Sequence, residues 1–214
     1  MSAGAVMVDV QRKLEALYAL TPEAPVTEFL IPEDDAASYP GGGSRTLISR
    51  DGEGVALGVV LEPGVGARLD EQDPRERLDR RNLDSFCTAT EEVSHFVYLL
   101  FCALTERTDT ELDLELQAEV DKYLCAAFLL SRQNDGAVSS RLRDLLFRGY
   151  RLADAVSDER AERYHAASQL AWRYCGHLEA AYLRGSRLQD LARESRRFYR
   201  LGQREKLEKI SGLQ

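Results

Sequence analysis

Residues 84–104, DSFCTATEEVSHFVYLLFCAL, decide how the rest of the chain is read. Phe86, Ala89, Val93, Phe96, Val97, Leu100 and Leu104 recur at the spacing of one helical face. From Phe96 to Leu104 the run is apolar on nearly every side. A helix of that kind is buried all round rather than laid on a surface, so this segment is expected at the centre of a helical assembly.

Downstream of it the same period continues. A polar turn over 105–109 leads into a helix over 110–130, with Leu112, Leu116, Val120, Tyr123, Ala127 and Leu130 on one face. A turn over 132–136 precedes a helix over 139–155 carrying Leu142, Leu145, Leu146, Tyr150 and Ala153. Ser157, followed by Asp158 and Glu159, reads as the N-cap of a helix to about residue 183. Gly185-Ser186 interrupts the pattern, and a last, highly charged helix is expected over 188–210.

Upstream the punctuation is different. All six prolines and nine of the 15 glycines fall within the first 74 residues, so the N-terminal third is turn-rich and the remainder is free to be helical. A short helix over 8–20 stops before Pro22, and residues 26–31, bounded by prolines, read as an edge strand. Residues 46–50 and 55–61 flank Asp51-Gly52, a hairpin signal because glycine takes the positive φ of a tight turn. The expected fold is mainly α (α+β): an antiparallel bundle of four to five helices with a small N-terminal antiparallel β-hairpin and a basic C-terminal helix. Its divisions are expected at 1–74, 75–185 and 186–214.

Several function classes are set aside. No stretch approaches 18 uncharged apolar residues, and residues 1–13 lack a basic segment followed by an apolar one, so neither a membrane span nor a secretory signal is expected. Cys87, Cys102, Cys125 and Cys175 stand singly, without zinc-ligand spacing, and read as reduced core thiols of a cytoplasmic protein. The glycine loop at 40–44 lacks the lysine of a phosphate-binding loop and precedes a strand. No G-x-S-x-G, H-E-x-x-H or EF-hand pattern is present, so no catalytic residue is assigned.

Charge is more informative. The chain carries a net −8, but residues 1–135 hold 12 basic and 26 acidic side chains while residues 136–214 hold 16 and 10. Residues 184–209 alone have nine basic groups against four acidic. Arginines and tyrosines are enriched at interface hot spots, and Arg196, Arg197, Phe198, Tyr199, Arg200 and Arg204 are the expected partner-binding residues. The reading is a non-enzymatic adaptor or complex subunit that meets an acidic protein surface or a second copy of itself, with no cofactor. A nucleic-acid partner for the basic helix is the weaker variant. The segment after Gly185-Ser186, being so polar, is expected to dock weakly in the free protein.

One constellation could carry metal chemistry. Glu92 and Glu162 each precede a histidine by three residues, His95 and His165, the Glu-x-x-His spacing of di-iron and di-manganese helical bundles. Reflection across the 105–109 turn places Glu119 level with His95. Helical phasing points His165 away from its apolar stripe, so His165 is expected at the surface and His95 in a hydrogen-bonded interior position. Iron or manganese at Glu92, His95, Glu119, Glu162 and His165 is therefore the alternative expectation rather than the leading one.

Overall fold

The computed structural model describes residues 2–22, 24–39, 42–51, 54–108, 110–137, 139, 141–148 and 158–213. The expected N-cap Ser157, the helical positions Tyr150 and Ala153, the start of the glycine loop at Pro40 and Gly41, and the turn residue Gly52 lie outside the described residues. Among the described residues the chain is mainly helical, with one two-stranded antiparallel sheet. It divides into two compact units, Met1–Ala16 with Leu20–Arg107, and Leu17–Ala19 with Thr108–Gln214.

The first unit opens with α1 (Ser2–Tyr18), which starts earlier than its apolar pattern suggests. The small residues Ala3 and Ala5 propagate it well, and Asp70 accepts from the Ala3 amide at 2.8 Å. Val6, Met7, Val10 and Leu14 form its buried stripe. The expected edge strand at 26–31 is instead a 3₁₀ turn, Val26–Phe29, with a single parallel bridge from Leu30 to Val59. The Val26 amide, which a strand would present to a neighbour, donates to Gln11 Oε1 at 2.7 Å. Pro25 has no amide hydrogen to offer a ladder. After α2 (Glu33–Ala36) come β1 (Arg45–Asp51) and β2 (Gly54–Val60), in register from Arg45↔Val60 to Asp51↔Gly54. A helix that composition concealed, α3 (Pro63–Glu71), follows with proline in its first turn, where the missing N–H costs nothing. The sheet and α3 pack on α4 (Leu83–Leu104), in which every residue from Glu92 to Leu99 is buried.

The second unit contains α5 (Glu111–Gln133), α6 (Leu142–Arg148), α7 (Asp158–Leu178), α8 (Leu188–Tyr199) and α9 (Gln203–Ser211). Thr110 caps α5 by accepting from the Asp113 amide at 3.1 Å. The longest packing is α5 along α7, with α6 against both and α9 against α7. α7 runs on into a π-helical turn, Glu179–Leu183. The single helix expected over 188–210 is two: the chain is extended at Gly202, and Glu205 folds back to accept from the Gly202 amide at 2.9 Å, starting a new helix.

Four helix ends share one device. Ala19, Glu106, Asp135 and Ser186 take φ of 50–54°. The next amide in each case reaches back five residues, as in Leu20 to Glu15 and Arg107 to Cys102, both at 2.9 Å. This closure is usually built on glycine; here it is imposed on four side-chain-bearing residues.

Candidate functional site

The basic C-terminal segment is packed into the second unit by its aromatic residues. Phe198 and Tyr199 are each 1% exposed. Phe198 stacks on Tyr174 with ring centroids 3.8 Å apart, and Tyr199 stacks on Tyr18 at 4.0 Å. Two of the six expected partner-binding residues, Phe198 and Tyr199, therefore sit inside the unit and not on its surface. Arg196 Nε donates to the Leu17 carbonyl at 2.8 Å, and Arg200 reaches the Ala19 carbonyl at 3.4 Å. Together they satisfy backbone oxygens left open at the end of α1. Arg197, Arg200 and Arg204 are exposed.

Beneath these aromatics runs a buried polar network. Lys206 is wholly buried, with Nζ 2.8 Å from the Asp113 carboxylate, 3.1 Å from Gln117 Oε1 and 5.2 Å above the Phe198 ring. The Gln117 amide donates to Asp121 at 3.0 Å and to the Tyr18 hydroxyl at 3.1 Å, while that hydroxyl donates to Asp121. Burial, reinforced by the neighbouring Asp121 charge, pushes the Tyr18 phenol well above its ordinary range. A second link joins the buried Tyr174 to the buried Glu194 at 3.3 Å, and Glu194 to the half-buried Lys209 at 2.9 Å. These charges and amides face one another, which is the condition for burying them at all. The signal was present in α5: Asp113, Gln117 and Asp121 fall at every fourth residue, a polar stripe on a largely apolar helix.

A groove of about 610 Å³ opens between α6 and α7, lined by Phe147 and Arg148 on one side and by His165, Ser168, Trp172 and Arg173 on the other. Trp172 is the chain's one tryptophan. The guanidinium carbons of Arg143 and Arg148 lie 4.6 and 5.1 Å from its ring centre. The Arg143 side chain crosses α7 at Gly176, where an added Cβ would lie 2.1 Å from its Nη1. It then reaches Glu179 at 3.5 Å, in the π-helical turn. Arg184 grips the same carboxylate at 2.6 Å, and the Tyr123 hydroxyl donates to it at 3.3 Å. Missing side-chain volume at Gly176 thus lets a single arginine run along α7 and hold the tryptophan.

The metal expectation distributes as follows. In the first unit, Glu92 and His95 are both buried on α4, with Oε2 and Nδ1 3.9 Å apart, and Thr46 donates to the same carboxylate at 2.8 Å. In the second unit, Glu119 is buried against Lys122 at 2.8 Å, whereas Glu162 and His165 are exposed on α7. Among the described residues of that unit, Glu119, Glu162 and His165 are not gathered into one ligand group. None of the four cysteines is joined in a disulfide. No described helix is long and apolar enough to cross a membrane.

No family model, curated protein or solved structure matches the chain.

Proposed function

We propose that the chain is a non-enzymatic helical interaction subunit of a larger cytoplasmic assembly, binding an acidic protein surface through the outer faces of α8 and α9. The observation that carries this reading is the sorting of side chains in these helices. The aromatics turn inward and stack, leaving Arg193, Arg197, Arg200 and Arg204 exposed at spacings of four, three and four residues. Arg193 pairs with Asp190, at the surface, and Arg204 with Glu208 at a loose 3.7 Å. Exposed pairs of this kind are worth little in water, about 0–1 kcal/mol, so a partner carboxylate can replace them. The excess of basic side chains in residues 136–214 would steer such a partner toward this region.

The test is site-directed photocrosslinking in cells. A crosslinking residue at position 197 or 204 is expected to yield one shared adduct with an acidic protein, lost when Arg200→Glu is added. The same residue at Leu104, also exposed, serves as the control. No discrete adduct at 197 and 204, an identical adduct from 104, or an adduct formed only with a second copy of the chain would overturn the reading.

A further inference from the structure

The groove at Trp172 is independent of the partner-binding face and has the composition of a small-molecule site. Its volume, about 610 Å³, falls in the usual range for ligand pockets, roughly 300–1,000 Å³. Phe147 and Trp172 supply flat apolar wall, while Arg148, Arg173 and His165 bring N–H donors to the same space. Of two nearby acid groups, Glu179 is committed elsewhere, and Asp144 meets a groove arginine in a loose surface pair that is worth little in water. Asp144 lies 3.5 Å from Arg148 and accepts a long bond from the Trp172 indole at 3.4 Å, and Glu179 is held by Arg143 and Arg184. Arg173 makes one long bond to the Leu213 carbonyl, 3.4 Å, leaving most of its donors turned to solvent.

Preorganisation is the second observation. The indole is not a loose surface ring: Arg143, seated in the notch at Gly176 and anchored on Glu179, lies over it and donates to the Trp172 carbonyl at 3.3 Å. Holding an aromatic wall in place before a ligand arrives removes part of the ordering cost of binding. The half-buried Arg143 thus couples the buried Glu179 carboxylate to a half-exposed tryptophan that lines the groove.

We infer that this groove binds a small aromatic acid, its ring packed against Trp172 and Phe147 and its anionic group received by Arg148 and Arg173. A bare anion such as acetate would leave the apolar walls wet. A neutral aromatic would leave the guanidiniums without the charge-assisted bonds that a carboxylate supplies.

The single tryptophan makes the test direct, because the full chain labelled with ¹⁵N gives one indole N–H resonance. Titration with 2-naphthoate is expected to move that resonance saturably, and the neutral analogue 2-naphthylmethanol to bind at least about tenfold more weakly, as for loss of one charged hydrogen bond. Arg148→Gln and Arg173→Gln, both exposed positions whose folding is checked by circular dichroism, should each weaken naphthoate by about the same factor. An indole resonance that does not saturate, equal affinity for the alcohol, or unchanged affinity in both variants would overturn the inference. None of these outcomes touches the crosslinking result.

Discussion

The helix α4 in the first unit and the pair α8–α9 in the second both bury side chains, but in different balances of apolar and charged groups. α4 buries Val93, Phe96, Val97, Tyr98 and Leu99 beside the single Glu92–His95 pair, and most of its stability comes from removing apolar area from water. α8 and α9 bury Glu194, Ser195 and Lys206 alongside Leu191, Phe198, Tyr199 and Ile210. Their packing depends on each buried charge meeting its complement, Lys206 with Asp113 and Lys209 with Glu194. The first kind of core tolerates any filler of the right volume. The second has one acceptable arrangement, because a half-satisfied network is worse than none.

The sharpest way to separate the two is Lys206→Ala. It strands the Asp113 carboxylate in the interior, and we expect a loss of about 4 kcal/mol in denaturant unfolding followed by Trp172 fluorescence. The double substitution Lys206→Met with Asp113→Leu should recover most of it.

Alkali should distinguish the units next. The Tyr18, Tyr123 and Tyr174 phenols and the Cys175 thiol, all in the second unit, are raised above their ordinary values chiefly by burial. A raised acid stabilises the fold in its protonated form. That contribution is complete below the unfolded value, about 10 for a phenol, and is lost as pH climbs toward the folded one. Between pH 9 and 11 the second unit should lose about 1 kcal/mol per phenol, measured as a falling urea midpoint. Tyr174→Phe should lessen the slope.

Leu99→Ala in α4 is expected to cost about 2–3 kcal/mol through the cavity it leaves, with no change between pH 9 and 11. A pH-dependent loss there would break the contrast. The smallest effect belongs to the helix ends. Glu106→Gly relieves a left-handed backbone that costs about 1 kcal/mol for a residue with a side chain. The greater freedom of glycine in the unfolded chain returns part of this. A net gain of about 0.5 kcal/mol in thermal unfolding is expected.

These differences also mark what could be seen in the residues alone. The α4 pattern is legible because apolar periodicity is a local property, and the hairpin because Asp51-Gly52 is a local turn signal. α3 was hidden by Gly64 and Gly66, which suggest a loop although proline opens the helix. The edge strand was misread because the fate of the Val26 amide depends on Gln11, fifteen positions earlier. In the C-terminal segment, charge suggested solvent, whereas Lys206 shares a stripe with Ile210 and finds its acid on a helix 89–93 residues upstream. The Trp172 groove was half visible: His165, Gln169 and Trp172 share a helix side in the sequence, but the arginine that fixes the ring arrives across Gly176 from α6.

Tyr18 gives the second unit a particular history. Its hydroxyl partners, Gln117 and Asp121, leave the ribosome about a hundred residues after it, and its stacking partner, Tyr199, later still. Arg196, which closes the same turn on Leu17, is separated from it by 179 positions. Every nascent chain therefore carries an aromatic residue whose place does not exist until Tyr199 has emerged. Ribosome-bound chains stopped short of Tyr199 would hold that ring exposed, the kind of apolar surface that holding chaperones recognise.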